Sequence, residues 1–321
     1  MKRKKTNKYE TYIKELEVKG YCIIPGILSH KQCDNYIGQM WDWLEQLGTG
    51  IDRNNKYTWN DNNWPYYDKG IIQNYRVGHA QFLWDLRCEQ NIIDVYSSIW
   101  ETDELLVSFD GMNVTRPTNI TGQLEKKYWW HTDQSFLKTG RQCIQGFINL
   151  EKSQKGDACF CAIEGSHNYH EELFKTQNIE PLNLDWYELD QNEINWYLKE
   201  KKLKQAKVYP PKGSLVLWDS RTIHCNYPSI TDNFRYVAYI SMTPADKIDS
   251  FNLRNKRKAF YDLQTTTHWP HEITLFTEKP VDKNKAKQIV KLQDKLPELT
   301  EIGKKLAGLL PYNKSNKKRK L

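Results

Sequence analysis

The sequence predicts a mainly β fold, in which a barrel-like or sandwich β core is flanked by helices. One reason is that short apolar stretches with strand character recur along the chain, and polar segments with helical character interrupt them. A second is that aromatic residues make up 13% of the chain although hydrophobic residues reach only 39%. Such large rings can supply the core of a folded body. The length of 321 residues suits one large domain or two small ones.

The N-terminal part of the chain predicts a helix, a strand and a longer helix. Residues 9–19 are expected to form a short helix that leads into a strand from Tyr21 to Ile24. A turn at Pro25-Gly26 follows, and Ser29 is a favourable N-cap for the next helix. That helix is expected from His30 to about Leu47, because its apolar residues recur at the spacing of one helix face.

A loop and a second helix are predicted before the β core. Residues 51–69 are polar and aromatic, which is typical of a long surface loop and makes them a candidate active-site cover. Residues 83–100 carry apolar residues at helical spacing and predict one helix. The expected strands are Leu105–Phe109, Met112–Val114, Ile144–Leu150, Ala158–Ile163, Val208–Pro211, Ser214–Trp218 and Arg235–Met242.

Polar or charged stretches interrupt and follow these strands. Residues 168–207 are expected to form a partly helical insert, and residues 283–309 to form helices that dock through an apolar stripe. The stripe consists of Leu296, Leu299, Ile302, Leu306 and Leu309. The predicted organisation is therefore a single domain over residues 9–313, between disordered basic tails at 1–8 and 314–321.

The net charge of +7 is concentrated in the two tails. Residues 1–8 and 314–321 each contain five Lys or Arg and no acidic residue, so the body between them carries −3. A negative body has no overall attraction for nucleic acid, which makes nucleic acid an unfavourable partner for it. The tails remain able to bind nucleic acid or to act as localisation signals.

Cysteine usage and apolar runs predict a cytoplasmic or nuclear protein. The seven cysteines are odd in number and contain no C-x-x-C pair, which disfavours a zinc ribbon or a thioredoxin-type site. Cys159 and Cys161 are expected to be small neighbours on one strand, and free thiols fit a reducing compartment. The N-terminus lacks the apolar segment of a signal peptide, and no apolar run approaches the roughly 18 residues of a membrane span.

The strongest chemical signal is the pair His131 and Asp133. On a strand, residues two apart point to the same face, so an imidazole nitrogen and a carboxylate oxygen converge there. A catalytic metal needs a third ligand, and His224 is the best candidate downstream. Two histidines and one carboxylate form the facial triad of non-heme Fe(II) oxygenases.

A lone arginine follows this set. Arg235 opens a strand on which it shares one face with Val237, Tyr239 and Ser241. An inward-facing guanidinium requires an anionic partner, and a carboxylate that accepts two parallel hydrogen bonds is well suited to it.

The ordered set of H-x-D, a distant His and an Arg after ten intervening residues resembles the phytanoyl-CoA dioxygenase-like family of Fe(II)/2-oxoglutarate-dependent oxygenases. Residues 20–29 resemble the family's opening strand and turn, and residues 162–167 resemble its "PGSH" segment after a glycine at 156. Residues 212–218 resemble the strand that presents the second histidine. The similarity covers roughly residues 15 to 245, with a weaker echo at 299–308.

This resemblance implies a double-stranded β-helix core (a jelly roll, cupin-like) and a reaction that uses Fe(II), 2-oxoglutarate and O2 and releases succinate and CO2. It implies that Arg235 binds the distal carboxylate of 2-oxoglutarate. Asn226 falls where members often have an assisting Ser, and Gln145 where some have a Trp beside the cofactor; both depart from the family's residue types. Related halogenases replace the acid by Ala or Gly, so Asp133 implies hydroxylation.

Three functions remain open at this stage. The first is a hydroxylase of an unidentified small-molecule or acyl substrate, and the second is an inert jelly-roll binding module, which predicts loss of a ligand or of Arg235. The third is an oxygenase acting on nucleic acid or protein. The H-x-x-H pairs His167/His170 and His268/His271 also suggest metal sites, but each lies in an expected turn or loop, where a histidine usually caps backbone or packs. The oligomeric state is left open.

Overall fold

The computed structural model of the protein describes residues 7–122, 128–177, 179, 185–277 and 295–312. Its strands are β1 (Tyr21–Ile24), β2 (Ile71–Ile72), β3 (Leu105–Val107), β4 (Met112–Thr115), β5 (His131–Thr132), β6 (Ile144–Asn149), β7 (Cys159–Ile163), β8 (Tyr187–Glu188), β9 (Gln205–Val208), β10 (Ser214–Asp219), β11 (His224–Tyr227), β12 (Arg235–Tyr239) and β13 (Met242–Pro244). Its helices are α1 (Glu10–Lys19), α2 (His30–Gln46), α3 (Gln81–Arg87), α4 (Gln90–Trp100), α5 (Thr118–Thr121), α6 (His170–Thr176), α7 (Gln191–Asn195), α8 (Ser250–Tyr261) and α9 (Glu301–Leu306).

Two antiparallel sheets form the core. The larger has six strands in the order β1-β10-β6-β12-β4-β2, and the smaller has five in the order β8-β5-β11-β7-β9. A short pair, β13-β3, extends the structure beside them. Most neighbours in each sheet are distant in sequence, as expected when a long double strand winds into a jelly roll. The mainly β class and the jelly-roll core are therefore confirmed.

Alternation along the strands sorts the side chains into one inner and two outer layers. In β10, Val216 and Trp218 belong to the inner layer, whereas Leu215 and Leu217 pack outward against the helices. The two sheets meet through aromatic rings: the ring centroids of Phe147 and Phe160 lie 6.1 Å apart, and those of Phe160 and Trp218 lie 4.9 Å apart. Large rings therefore fill one part of the inner layer, and another part is open and can hold a site.

The predicted N-terminal elements are confirmed. Helix α2 begins at a capping box, in which the Ser29 hydroxyl accepts from Gln32 N and the Gln32 side chain accepts from Ser29 N. Asn7 and Lys8, which the prediction assigned to the tail, are among the described residues, and Asn7 accepts hydrogen bonds from the backbone N–H groups of Tyr9 and Glu10. The rest of the first tail, and the tail at 314–321, lie outside the described residues.

The single helix expected over 83–100 is wrong, since α3 and α4 are separated at Cys88 and Glu89. Glu89 is extended, with φ −61° and ψ 120°. Its carboxylate accepts from the Tyr36 hydroxyl at 2.7 Å and from the Gln32 amide at 3.3 Å, which ties the break to α2. Apolar residues continue at helical spacing on both sides of the break, so the pattern alone gives no sign of it.

Two strand predictions also need correction. The strand expected at Val208–Pro211 lies earlier, as β9, because Pro210 and Pro211 have no N–H to donate to a ladder. The strand expected at 235–242 divides into β12 and β13 near Ile240. There the chain leaves β6 and pairs with β3, with Met242 opposite Val107.

The insert and the C-terminal segment agree with the prediction only in part. The insert contains α6, α7 and a π-helical turn at Trp196–Glu200, but it also supplies β8 and most of β9 to the smaller sheet. Helix α8, capped by the Asp249 carboxylate, has no counterpart in the prediction. Of the helical segment expected at 283–309, residues 283–294 lie outside the described residues; within 295–309, residues 295–300 are not helical and α9 follows. Leu306 of the predicted stripe is buried, whereas Leu296 is exposed.

Two further expectations concern the cysteines and membrane-spanning helices. All seven cysteines are free, and Cys159 and Cys161 are buried neighbours on β7, with 3.9 Å between their sulfur atoms. Within the described ranges, no helix has the length and apolar character to cross a bilayer.

Candidate active site

The predicted metal ligands come from two adjacent strands of the smaller sheet. His131 on β5 lies directly opposite His224 on β11, and their ring centroids are 4.2 Å apart. Asp133 follows β5, where its backbone N–H donates to the carbonyl of Ser220 at 3.1 Å. The strand pairing therefore brings together residues 93 positions apart in the sequence.

The three side chains present their donor atoms to one point. Asp133 Oδ1 is 3.7 Å from His131 Nε2, and Asp133 Oδ2 is 3.2 Å from His224 Nε2. Two ligand atoms each about 2.1 Å from one ion, at right angles, would lie about 3 Å apart. All three residues are buried, and their ligand atoms lie within 4.8 Å of one another. Among the described residues no other His, Cys, Asp and Glu group has this arrangement.

Hydrogen bonds to backbone carbonyls hold both imidazoles in a ligand-like state. His131 Nδ1 lies 3.0 Å from Trp129 O, and His224 Nδ1 lies 3.0 Å from Thr222 O. Because a carbonyl only accepts, each Nδ1 carries the hydrogen and each Nε2 keeps its lone pair toward Asp133.

The charge states also suit a metal. Burial, with a smaller contribution from the neighbouring His224, lowers the pKa of His131 to about 3, so its imidazole is neutral at physiological pH. Burial alone would raise the pKa of Asp133, but the neighbouring His268, His131 and His224 outweigh it and hold that pKa well below its usual range. A neutral imidazole and an ionised carboxylate are the forms that coordinate metal ions.

Gln145 lies on β6 of the opposite sheet, and its amide Nε2 donates to Asp133 Oδ2 at 3.0 Å. Its side chain is buried and lines the same cavity as the three candidate ligands. The contact fixes the rotation of the carboxylate, since one oxygen is engaged from the side of Gln145. The predicted place of Gln145 beside the cofactor stays a prediction.

Gln145→Leu is expected to weaken iron(II) binding about 10- to 100-fold, the usual effect of removing a hydrogen-bond partner from a metal ligand. Leucine has a similar volume but cannot donate to Asp133. Anaerobic titration with iron(II) measures the change. Gln142→Leu, a glutamine that donates only to the Thr139 carbonyl, is the matched control. Equal iron affinities in the two variants would show that Gln145 does not support iron binding.

Arg235 opens β12 opposite Thr115, and its side chain is buried beside the ring of Phe147. Both terminal nitrogens, Nη1 and Nη2, are buried without a hydrogen-bond partner among the described residues. Val237 shares its inner face, as predicted. A buried guanidinium without a counter-charge is costly, so this geometry marks a place for an anion.

Asn226 lies two residues after His224 on the same inner face of β11. Its amide nitrogen is 3.4 Å from the Tyr239 hydroxyl, and its backbone carbonyl accepts from Trp129 Nε1 at 2.9 Å. Asn226 therefore lines both the cavity of the two histidines and the cavity of Arg235. Its role in holding the cofactor is not settled by these contacts and stays a prediction.

Two adjoining cavities occupy the open part of the inner layer, and they share Trp129 and Asn226 as lining residues. One, of about 270 Å³, contains the three candidate ligands and Gln145. The other, of about 360 Å³, contains Arg235. The Trp129 ring stacks on His131 with centroids 4.4 Å apart and an interplanar angle of 7°. The cavity of the candidate ligands and the cavity of Arg235 therefore meet at Trp129 and Asn226.

The sequence did not reveal Lys69, which lines the second cavity with its amino group 3.9 Å from the centroid of a Trp129 ring. A tight hairpin turn places it there. Asp68 and Ile71 exchange two backbone hydrogen bonds, and Lys69 and Gly70 between them have φ values of 50° and 85°. The dipeptide Lys-Gly between strand-forming residues was the available signal. Tyr67, from the loop predicted as a cover, also lines this cavity.

Three of the four H-x-x-H histidines behave as expected from loop positions. His167 and His170 contact the backbone carbonyls of Glu17 and Gln134 at 3.0 and 2.8 Å. His271 contacts the hydroxyl of Thr243 at 3.2 Å. His268 differs: its ring lines the cavity of the candidate ligands, and its Nε2 is buried with no hydrogen-bond partner in the described structure.

Comparison with known proteins identifies the family. The family model for phytanoyl-CoA dioxygenase matches residues 16–237. An Aspergillus versicolor protein, Ava biosynthesis cluster protein O, is 27% identical over 270 residues, which cover 82% of this chain and 87% of that protein. A Dictyostelium discoideum protein provisionally named a phytanoyl-CoA dioxygenase is 22% identical over 290 residues, covering 78% of this chain and 79% of that protein.

Among solved structures, the non-heme alpha-ketoglutarate-dependent carbocyclase SnoK from nogalamycin biosynthesis has a similar fold. The TM-score is 0.51 at 16% sequence identity, over 74% of this chain and 84% of that one. The family match extends over most of the β core and contains all six residues that the sequence singled out for the site. This chain belongs to the phytanoyl-CoA dioxygenase family of enzymes, the non-heme iron oxygenases that use 2-oxoglutarate and O2.

Proposed function

We propose that the protein hydroxylates a small molecule, with iron(II) held by His131, Asp133 and His224 and with 2-oxoglutarate bound through Arg235. The observation that carries the proposal is the buried guanidinium of Arg235, which has no partner among the described residues and lies across Asn226 from three convergent ligand atoms. A metal site alone, or a buried arginine alone, would support a structural role equally well.

The residues present fit the metal. Two imidazole nitrogens and one carboxylate oxygen lie together, and a metal ion held by them would keep its remaining coordination positions free for other ligands. Gln145 and the carbonyls of Trp129 and Thr222 orient the three donors before any ion binds.

The residues also fit 2-oxoglutarate. The forked guanidinium of Arg235 offers two parallel N–H groups to a carboxylate, and its burial strengthens that interaction because little water competes. Asn226 and Trp129 lie between Arg235 and the metal ligands and would border the carbon chain. When bound together, iron(II), 2-oxoglutarate and O2 supply the oxidising chemistry, with succinate and CO2 as products.

Hydroxylation is the expected outcome because the acid position is intact. Asp133 occupies the coordination site that related halogenases leave open for chloride. Its second oxygen is engaged by Gln145, so the carboxylate is held rather than free to move aside.

A small-molecule substrate is supported by the size of the cavity beside the candidate ligands, about 270 Å³, and by its aromatic lining. The names of two similar proteins, one from the Ava biosynthesis cluster and one from nogalamycin biosynthesis, point to small products as well. The inert-module alternative predicts a lost ligand or a lost arginine, and the chain retains all four residues. An oxygenase of nucleic acid or protein remains an alternative, for which the basic tails are the motivation.

Succinate formation tests the proposal. Protein supplied with iron(II), 2-oxoglutarate and O2 is expected to form succinate slowly, and a true substrate should accelerate this strongly. Candidates are taken from a small-molecule library, with a short oligonucleotide and a peptide pool as the competing classes. Omission of iron is the control. Failure of the anaerobic iron protein to bind 2-oxoglutarate would refute the proposed co-substrate.

A further inference from the structure

The cavity of the candidate metal ligands has a second polar wall that the proposed iron and 2-oxoglutarate sites do not use. Its members lie outside the H-x-D…H core, and they come from three loops. Gln73 follows β2, Asp110 lies between β3 and β4, and Thr267 and His268 follow α8. All four line the cavity together with the metal ligands. A polar wall facing a reactive centre is a natural place to hold a substrate.

Asp110 is the charged member of this wall. The residue is 6% exposed, and its Oδ1 accepts from Gly111 N at 2.7 Å and from Gln73 Nε2 at 3.1 Å. Its other oxygen, Oδ2, receives no hydrogen bond within the described ranges. Gly111 permits this placement, because a Cβ there would lie 2.1 Å from the carbonyl oxygen of Ile72. The carboxylate is therefore held in place through Oδ1, and its Oδ2 is available to a ligand.

Two other groups of the wall also have an atom without a hydrogen-bond partner. His268 Nε2 and Thr267 Oγ1 are both buried without a hydrogen-bond partner in the described part of the chain. A hydroxyl oxygen and a carboxylate oxygen accept hydrogen bonds, and so does an imidazole nitrogen that carries no hydrogen. A ligand rich in N–H or O–H donors would satisfy all three.

Charge separates the two cavities. Lys69, Arg116 and Arg235 line the larger one, which suits the dianionic co-substrate, whereas no Lys or Arg of the described residues lines the cavity of the metal ligands. The buried cation Arg87 donates to the backbone carbonyl of Asp110 at 2.8 Å and not to its carboxylate. Burial raises the pKa of Asp110, and the neighbouring His268 and the hydrogen bonds from Gly111 and Gln73 offset only part of this rise.

Aromatic residues complete the wall. Trp186, contributed by the insert, is 47% exposed, and its ring centroid lies 6.0 Å from that of His131. Phe276 lines the same cavity. Aromatic faces attract cations, most strongly those of tryptophan.

We propose that Asp110, His268 and Trp186 bind a basic nitrogen of the substrate, an amine or a guanidine, and hold its carbon skeleton toward the metal ligands. This assignment deepens the proposed function and rests on it. A cation at this wall would pair with the Asp110 carboxylate, satisfy the free acceptors and lie beside an indole face. An acyl-CoA, with its many negative charges, does not match such a wall.

Binding of matched probes tests the assignment without knowledge of the natural substrate. Phenethylamine and hexylamine are titrated calorimetrically into the anaerobic protein loaded with iron(II) and 2-oxoglutarate, and each is compared with its alcohol and its carboxylate. The amines are expected to bind at least about tenfold more tightly than either analogue, as one charge-assisted hydrogen bond of about 1.5–3 kcal/mol implies.

Asp110→Asn is expected to remove most of this preference. Asparagine keeps the carbonyl oxygen that accepts from Gly111 and Gln73, so the loop should keep its shape. Asp94→Asn, which removes a carboxylate on α4 outside both cavities, is the matched control, and its amine binding should not change. An amine that simply coordinated iron would bind equally well to Asp110→Asn.

The outcomes separate this inference from the proposed function. Equal binding of amines and alcohols, no amine binding at millimolar concentrations, or unchanged amine binding by Asp110→Asn would each overturn the inference. In all three cases normal 2-oxoglutarate binding by the same protein samples would leave the proposed function standing. Loss of 2-oxoglutarate binding in the wild-type protein would instead contradict the proposed function itself.

Discussion

Asp133→Ala is expected to abolish succinate formation and to weaken iron binding severely, while the protein stays folded. The substitution removes one of three convergent ligands and leaves two imidazoles, which do not hold a catalytic ion in a defined geometry. It also leaves the buried Gln145 amide without its acceptor, which should cost the free protein about 1–3 kcal/mol without unfolding it.

Thermal unfolding with and without iron(II) separates these effects. Wild type should gain stability from the metal, because an ion that binds only the folded state raises its melting temperature, and the variant should gain little. Asp94→Ala, an acidic residue on the exposed side of α4, is the control for the loss of a carboxylate as such. Full turnover in Asp133→Ala would remove Asp133 from the metal site.

Arg235→Lys is expected to weaken 2-oxoglutarate binding roughly ten- to a hundredfold, equivalent to about 1.4–3 kcal/mol of charge-assisted hydrogen bonding. Lysine keeps the positive charge but lacks the rigid fork that donates two parallel hydrogen bonds to one carboxylate. Iron affinity should barely change, because Arg235 is not among the convergent ligands. Calorimetric titration of the anaerobic iron protein with 2-oxoglutarate measures the difference.

The second cavity offers a matched control for this change. Arg116 also lines it and is buried, but its guanidinium already donates to the Trp59 carbonyl, the Asp61 carboxylate and the Tyr67 hydroxyl. Arg116→Lys should therefore affect 2-oxoglutarate far less than Arg235→Lys. If wild type and Arg235→Lys bind equally well, or if neither binds, the co-substrate assignment is wrong and an inert module becomes the better description.

The central part of the site is predictable because it lies on strands. A period of two determines which side chains share a face, so the sequence alone assigns His131 with Asp133, His224 with Asn226, and Arg235 with Val237 each to one side. The inner layer contains these faces as expected. Only the resemblance to a family predicts that these three segments come together, because the pairing of strands so far apart in sequence has no local signal.

The substrate side is not predictable on the same grounds. Asp110 and His268 lie in loops, where no periodicity states which direction a side chain takes. His268 is expected to cap or pack, and instead its ring faces the cavity without a partner for Nε2 among the described residues. Backbone contacts from distant segments, such as the approach of Gly111 to Ile72, determine these positions. The break at Glu89 has the same origin, because the bonds that fix it come from α2.

The pairing of β8 with β5 bears on how such an enzyme could diversify. β5 is only two residues long. On the edge that faces away from β11 it pairs with Tyr187 and Glu188 of the insert, and Glu188 lies directly opposite His131. The same stretch of the insert places Trp186 in the cavity. Replacing this segment by that of a relative would therefore change both the selectivity of the pocket and the strand pairing that supports the candidate ligand His131. A chimera should change its preferred substrate and its metal retention together, so the two traits are expected to co-evolve as one inherited module.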